Sequence, residues 1–234
     1  MQSSNRFTLE YFKKLSGWGL LILLLFLTAL LLFVYITHQI IWDGEEELDN
    51  AFFRFLRPSI NPSRTRLMEI ITYGASSTFL QIGYGLLVVG YLISKNWKRA
   101  LEISAIGLGG FLVNYVMKLS FERVRPSQPL IDPLHNFSFP SGHATSGFIF
   151  YGLLIYLLSK TQIKPVYKYI ISALLIMVAL LIGFSRIYLR LHYLSDVIAG
   201  FCIGFAWLAV FLWMMERLKK KSDTSVKQQA VTGS

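Results

Sequence analysis

The sequence predicts an all-α polytopic membrane protein, a bundle of six transmembrane helices with a short interfacial segment after the first helix. Its 234 residues are 54% hydrophobic and have a mean hydropathy of +0.50, whereas soluble domains average about 45–50% apolar even with glycine counted. The apolar residues lie in long runs, each near the roughly 20 residues that cross the hydrocarbon core. Backbone groups in lipid must pair within their own segment, so these runs are expected to be helices.

Six apolar runs follow one another along the chain, and the fourth is the shortest. The first is too long for a signal-peptide core and ends without a small-residue cleavage site, so it is predicted to remain as a helix. The runs cover residues 16–42, 67–94, 99–120, 144–159, 167–187 and 192–215.

The runs leave no room for a second folding unit. Residues 1–221 are therefore predicted to form one transmembrane domain. Residues 222–234 are polar and aperiodic, which predicts a disordered cytoplasmic tail.

The connector between the first two runs, residues 43–66, starts with an acidic stretch. It then alternates aromatic residues with arginines before Pro58 and Pro62. This pattern fits a short helix in the outer interface. A polar connector with a few anchoring aromatic residues fits equally well.

The distribution of Lys and Arg predicts the orientation. The formal net charge is +10, which in a soluble protein would suggest a nucleic-acid partner. Here the basic residues lie between the runs and at the ends, so no nucleic-acid partner is expected. The segments on the side of the termini hold 14 of the 23 Lys and Arg residues, and the opposite side holds 9. Both termini are therefore predicted to be cytoplasmic, and the polar motifs extracytoplasmic.

Three polar segments lie at the extracytoplasmic ends of the runs. They read KLSFERVRP at 118–126, PSGH at 140–143 and SRIYLRLHYLSD at 185–196. Lysine, arginines, a Ser-Gly turn, two histidines and an aspartate are the parts needed to hold a phosphoryl group, attack it and protonate its leaving group. Charge is costly in a membrane protein, so these segments predict a functional site.

The first two segments contain groups suited to binding an anion. Lys118 ends the third run, and Arg125 follows before Pro126, which turns the chain. Ser141 can cap the fourth helix, whose free N–H groups favour an anion, and Gly142 permits close approach. In isolation, Lys118 would be interpreted as a side chain that reaches the interface, and the Ser-Gly pair as a simple cap and turn.

The third segment contains a histidine paired with a carboxylate. His192 and Asp196 lie four residues apart at the start of the sixth run, so they are expected to share a helix face. Asp196 can accept a hydrogen bond from one ring nitrogen and leave the other free as a nucleophile. Arg186 precedes His192 by six residues. An isolated His–Asp pair is more often an ordinary hydrogen bond, so the interpretation depends on the other two segments.

A metal site with His143, His192 and Asp196 as ligands is an alternative interpretation. The nearby lysine and arginines would repel a cation and attract an anion, so no metal is expected. The single cysteine, Cys202, lies in an apolar run, where a small packed side chain is expected.

Together the three segments resemble, in order and spacing, the motifs of the type-2 phosphatidic-acid phosphatase superfamily. The layout of its bacterial membrane branch, six spans with external motifs, is similar over residues 60–216. The resemblance implies that His192 is the nucleophile and forms a phosphohistidine, that Asp196 orients it, and that His143 protonates the leaving alkoxide and then activates water. It also implies that no metal or other cofactor takes part. The phosphate-binding residues that it implies are Lys118, Arg125, Ser141, Gly142 and Arg186.

The sequence therefore predicts a metal-independent lipid phosphate phosphohydrolase of the cell membrane. Phosphatidylglycerol phosphate, phosphatidic acid, diacylglycerol pyrophosphate and undecaprenyl pyrophosphate all fit as substrates, and membrane lipids are the expected surroundings. One alternative is a carrier or binding protein that holds a phosphorylated lipid without hydrolysis, in which two histidines would be superfluous. Another is a phosphatase for water-soluble monoesters. The sequence leaves the oligomeric state open.

Overall fold

The structure is a computed structural model that describes the backbone from Gly17 to Thr232, with side chains omitted for Trp18 and residues 218–232. The basic residues Lys13 and Lys14, which precede the first predicted helix, lie outside the described residues. All the α-helices below run in chain order. They are α1 (Gly17–Thr37), α2 (Glu47–Leu56), α3 (Pro62–Tyr73), α4 (Ser77–Ile93), α5 (Trp97–Phe121), α6 (Gly142–Ser159), α7 (Pro165–Tyr188) and α8 (Leu194–Thr232).

Six segments of the described chain are long and apolar enough to cross a membrane, which confirms the predicted all-α bundle of six spans. Many large apolar side chains point away from the bundle; Leu31, Leu86, Leu101 and Leu108 are each 71% exposed. Such surfaces are expected where helices face lipid tails. The spans are Gly19–Trp42, Pro62–Ile93, Trp97–Phe121, Gly142–Ser159, Pro165–Tyr188 and Leu194–Arg217.

The sequence predicts the second span as one continuous run over residues 67–94. In the structure, this span consists of two separate helices, α3 and α4. The break falls at Gly74, whose carbonyl accepts a hydrogen bond of 2.8 Å from the Tyr151 hydroxyl of α6. Ser76 then caps α4, its hydroxyl accepting from the Phe79 N–H at 3.2 Å. These partners satisfy backbone groups that a break inside the bundle would otherwise leave unpaired.

The connector after the first span contains the predicted short helix, α2. Two of its side chains, Asp49 and Leu56, are buried against the rest of the protein. Leu56 packs in an apolar cluster with Ile187 of α7 and Val197 of α8. The connector helix is therefore docked on the ends of two spans.

Close packing of α6 on α8 depends on two glycines. A Cβ added at Gly200 would lie 2.8 Å from the Ser141 carbonyl oxygen, and one at Gly204 would lie 3.0 Å from that of Thr145. The Gly-x-x-x-Gly pattern therefore lets two backbones approach, as small residues do in membrane bundles. This contact places the start of α6 beside the start of α8.

The last helix runs as far as Thr232, whereas the sequence predicts a disordered tail from Ser222 to Ser234. One lysine, two glutamines and one alanine in this stretch favour helix. Side chains from Leu218 onward and residues 233–234 lie outside the described part of the chain, so the disordered tail and the domain limit at residue 221 remain predictions.

Candidate active site

The predicted site residues converge at one end of the bundle, where four long helices begin or end. Lys118 lies in the last turn of α5 and Arg186 in the last turn of α7. His143 is in the first turn of α6, and Asp196 is in the first turn of α8. Residues 122–141 fold over this end and bring Arg125 into the cluster.

His192 and Asp196 are in contact, with 3.3 Å between Nδ1 and Oδ2. The structure corrects one detail of the prediction, since α8 begins at Leu194 and His192 lies in the loop before it. The backbone N–H of His192 instead donates to the Arg186 carbonyl at 3.2 Å. Both side chains are buried, and Asp196 is 0% exposed.

Asp196 is held by several donors besides His192. Its Oδ2 accepts from the backbone N–H of Tyr193 at 3.0 Å and from the Ser138 hydroxyl, while its Oδ1 accepts from Arg123 at 2.7 Å. With Oδ2 and Oδ1 both engaged, the carboxylate has a single orientation. His192 Nδ1 is therefore directed toward a fixed acceptor.

The second ring nitrogen of His192, Nε2, lies 3.2 Å from Nη1 of Arg125. A guanidinium can only donate, so this contact requires Nε2 to be an acceptor and places the ring proton on Nδ1. Burial lowers the pKa of His192 well below its usual value of 6.5, and the charges of Arg125, Arg186 and Lys118 lower it further. The ring is therefore neutral near pH 7, with the Nε2 lone pair turned toward the cationic cluster.

Arg125 is fixed by the loop that covers the site. Its Nε donates to the Asn136 carbonyl at 2.7 Å, and its Nη2 donates to the Asn136 side-chain oxygen at 2.6 Å. Burial lowers the pKa of Arg125 to about 10, so it remains a cation at neutral pH. Its hydrogen bonds go to neutral oxygens and to the neutral His192 ring, so no carboxylate contacts it among the described residues.

Arg186 is the most unusual cation of the cluster. It is 3% exposed, and its one side-chain hydrogen bond is from Nη1 to the Thr72 hydroxyl at 2.9 Å. Its Nε and Nη2 are buried without a partner in the described structure. Unpaired buried donors are costly, so two N–H groups here are poised for an acceptor.

Lys118 is also buried, with 8% exposure. Its Nζ donates to the carbonyl oxygens of Phe137 at 2.6 Å and Ser138 at 3.1 Å. Lys118, like Arg125 and Arg186, forms no ion pair among the described residues. Two buried cations and the half-buried Arg125, none with a carboxylate partner, form a positive site that favours an anion.

The Ser-Gly-His segment begins α6 as predicted. The Ser141 hydroxyl caps the helix by accepting from the Ala144 N–H at 3.5 Å, and the Ser141 N–H donates to the Asp196 carbonyl at 3.0 Å. A Cβ at Gly142 would lie 3.9 Å from Lys118 Cε. The start of α6 therefore hydrogen-bonds to the backbone of Asp196 in α8 and lies close to Lys118.

His143 has no hydrogen-bond partner for its ring within the described residues. It follows Gly142 in the first turn of α6, at the same end of the bundle as Lys118 and Arg186. All eight predicted site residues therefore lie in one cluster, with the two imidazoles near the same cations.

Sequence reasoning did not identify four residues that complete the cluster. Arg123 and Ser138 bind Asp196, Thr72 binds Arg186, and Asp49 binds Arg123. Arg123 stands two residues before Arg125, which was a usable signal. Ser138 stands just before the PSGH segment, and Thr72 and Asp49 come from polar positions far away in the chain; only burial distinguishes these three.

No group of three or more His, Cys, Asp or Glu residues suited to holding a metal ion occurs in the described part of the chain. His192 and Asp196 bind each other, and Arg123 occupies the second oxygen of Asp196. Two of the three donors of the metal alternative, His192 and Asp196, are therefore already engaged.

Two bacterial phosphatases are similar to this chain in sequence. Over 201 residues it is 29% identical to phosphatidylglycerophosphatase B of Bacillus subtilis, covering 84% of this chain and 95% of that one. It is also 31% identical over 156 residues to lipid A 4'-phosphatase of Bacteroides thetaiotaomicron, covering 58% of this chain and 66% of that one.

Two solved structures of membrane phosphatases are similar to this chain. The crystal structure of a transmembrane PAP2-type phosphatidylglycerolphosphate phosphatase from Bacillus subtilis has a TM-score of 0.68 and 28% identity, covering 84% of this chain and 96% of that chain. The structure of LpxE from Aquifex aeolicus has a TM-score of 0.55 and 27% identity, covering 69% and 93%. The family model described as the PAP2 superfamily matches residues 100–220, more than half of the chain and all three motifs. The protein is therefore a multi-pass membrane member of the PAP2 superfamily.

Proposed function

We propose that the protein is an integral-membrane lipid phosphate phosphohydrolase that removes a terminal phosphate through a phosphohistidine, without a metal. The observation that carries this proposal is the pair of unpartnered, buried N–H groups of Arg186 beside the His192–Asp196 pair. A phosphoryl group supplies the missing acceptors, and the neutral imidazole supplies the nucleophile. Two relatives with lipid-phosphatase names support this assignment.

The phosphoryl oxygens are proposed to bind in the cationic cluster. Arg186, Arg125 and Lys118 surround the group, and the first turn of α6, from Gly142 onward behind the Ser141 cap, adds free N–H donors. Fixed positive charge stabilises the transition state, in which charge spreads over the transferring group. This binding set needs no metal ion to neutralise the phosphate.

The proposed reaction has two displacements. In the first, His192 Nε2 forms a bond to phosphorus while the bond to the leaving oxygen breaks, and His143 gives that oxygen a proton. Asp196 holds the Nδ1 proton and stabilises the cationic phosphohistidine. In the second, His143 takes a proton from water, whose oxygen attacks phosphorus, and the P–N bond breaks to release inorganic phosphate and neutral His192.

The lipid character of the substrate is supported by the position of the site at the ends of the spans. A cavity of about 460 Å³ borders this end, and its lining includes Arg54, Arg57 and Arg190. Tyr193, the neighbour of His192, also lines it. A basic cavity at the end of a transmembrane bundle suits an anionic headgroup whose tails remain in lipid.

The carrier alternative is disfavoured by the geometry of His192. A binding protein needs the cations but gains nothing from a neutral imidazole with a carboxylate fixed on Nδ1. That arrangement is the one that activates a nitrogen nucleophile.

Measuring phosphate release from a lipid panel tests the proposed function. The detergent-purified protein is expected to release inorganic phosphate from at least one of phosphatidylglycerol phosphate, phosphatidic acid, diacylglycerol pyrophosphate and undecaprenyl pyrophosphate. The rate should be unchanged by a chelator, and kcat/KM should rank these lipids above a short-chain, water-soluble phosphate. Binding without phosphate release would favour the carrier, and loss in chelator restored by metal would refute metal independence.

We also propose that the site faces away from the cytoplasm, because 14 of the 23 Lys and Arg residues lie on the side of the termini. In a Cys202→Ser background, Asp132→Cys in the covering loop should react with an impermeant thiol reagent on intact cells. Lys98→Cys, exposed at the start of α5, is the matched control and should react only after lysis. The reverse labelling pattern would mean that the topology is inverted.

A further inference from the structure

Asp49 is a buried carboxylate on the connector helix α2, outside the three motifs. Its exposure is 1%, and it and Asp196 are the acidic residues in the buried part of the described structure. A buried carboxylate is tolerated only when nearby groups supply hydrogen bonds and opposite charge. The partners of Asp49 therefore indicate why it is there.

Those partners belong to the candidate active site. Asp49 Oδ1 accepts from the Ser195 N–H at 2.9 Å, and Oδ2 accepts from the Ser195 hydroxyl at 2.6 Å and from Arg123 Nη2 at 2.9 Å. Ser195 lies in the first turn of α8, where N–H groups are free and a negative charge is favourable. Asp49 thus fixes the start of the helix that carries Asp196.

Arg123 joins the two buried carboxylates. Its Nη2 binds Asp49, and its Nη1 donates to Asp196 Oδ1 at 2.7 Å and to the Ser195 hydroxyl at 2.8 Å. Its guanidinium also lies over the Tyr193 ring, with 3.9 Å from Cζ to the ring centre. The rigid fork of arginine reaches both acids at once, which a lysine does not do.

We propose that Asp49 is a positioning residue of the active site, which acts through Arg123 to fix Asp196 and thereby His192. The chain of contacts runs from Asp49 to Arg123, from Arg123 to Oδ1 of Asp196, and from Oδ2 of Asp196 to His192 Nδ1. In this proposal, the connector helix α2 helps to position the catalytic residues.

The charge of Asp49 determines how strongly Arg123 acts on Asp196. With Asp49 present, the guanidinium is shared between two buried carboxylates and the exposed Glu46, whose Oε1 lies 3.5 Å from Nη2, and Asp196 retains negative charge for the His192 ring. Without that charge, Asp196 is the one buried carboxylate left on Arg123 among the described residues, so the guanidinium acts on it more strongly and the ring loses part of its stabilisation as it becomes cationic. This effect concerns the reacting state more than substrate binding, so it lowers kcat more than it raises KM.

The test compares Asp49→Asn with Glu47→Gln, a matched control on the same helix whose carboxylate is exposed and pairs with Arg54 at 2.6 Å. Asparagine keeps the volume and an acceptor for Ser195. Asp49→Asn should lower kcat by about 10–100-fold, as removal of orienting groups does elsewhere, with KM within about twofold. Glu47→Gln should retain wild-type kinetics.

A vanadate inhibition constant separates positioning from a merely structural role. Five-coordinate vanadate bonded to the imidazole resembles the transition state, so its inhibition constant should rise with Asp49→Asn by a factor close to the loss in kcat. Partial unfolding would reduce the amount of active enzyme but leave that constant unchanged. A wild-type vanadate constant in Asp49→Asn would therefore overturn the proposal, as would a wild-type kcat.

Arg123→Lys provides a second route should Asp49→Asn fail to fold. Lysine keeps the positive charge but lacks the two Nη groups that reach both carboxylates. We therefore expect a lower kcat and weaker vanadate inhibition. Wild-type values of both would overturn the proposal. The inference rests on the proposed phosphohydrolase function, but different results would contradict the function and the role of Asp49. A wild-type protein that releases no phosphate contradicts the function, whereas an active wild type with an equally active Asp49→Asn contradicts only the role of Asp49.

Discussion

Replacing His192 with alanine is expected to lower phosphate release by at least about 10³-fold, because the variant lacks the nitrogen that bonds to phosphorus. The side chain is buried beside Asp196, so the loss of packing is local and the bundle should still form. The measurement is phosphate release from the best lipid of the panel, together with the thermal unfolding midpoint of each protein in detergent.

His135→Ala is the matched control for this substitution. His135 is exposed in the segment of residues 122–141 that covers the site. It has no place in the proposed reaction, so its variant should retain wild-type kcat. Rapid hydrolysis by a folded His192→Ala protein would show that another group, or water itself, attacks the phosphorus.

Replacing His143 with alanine is expected to have an effect that depends on the leaving group. An alkoxide needs a proton as it departs, and general acid catalysis contributes about 10²–10⁴-fold. An activated aryl oxide departs without one. His143→Ala should therefore lower the hydrolysis of an alkyl phosphate by about 10²–10⁴-fold and that of an aryl phosphate by less than about tenfold.

This contrast is measured where formation of the phosphohistidine limits the rate for both substrates, which a linear, burst-free time course establishes. His143→Gln is a useful companion because it keeps hydrogen-bonding capacity without acting as an acid, and it should behave like the alanine variant. Equal losses for the two substrates would mean that His143 binds phosphate or activates water instead.

The spans could be predicted from the sequence because hydropathy is a local property and lipid demands helices. The break between α3 and α4 could not, since Gly74 and Ala75 are compatible with an apolar run. That break depends on the Tyr151 hydroxyl, 77 residues away in the sequence, which binds the Gly74 carbonyl. A tertiary contact of this kind has no local signature.

The residues of the candidate site could also be predicted in part. Its eight residues lie in three segments with distinctive residue types, and the fold brings them together. The supporting contacts were not foreseen, because Asp49 and Arg123 are 74 residues apart. In the sequence Asp49 is one of several acidic residues in a connector, and only burial separates it from exposed Glu47.

The stereochemical course at phosphorus is the most direct test of a two-step reaction through His192. A lipid thiophosphate made chiral by oxygen isotopes is hydrolysed in water carrying the remaining isotope, and the configuration of the released thiophosphate is determined. Hydrolysis by the His192→Ala variant is measured in parallel, to show how much of the product depends on His192. Each in-line displacement inverts phosphorus, so two displacements should give overall retention. Overall inversion would mean a single direct attack by water and would contradict the phosphohistidine.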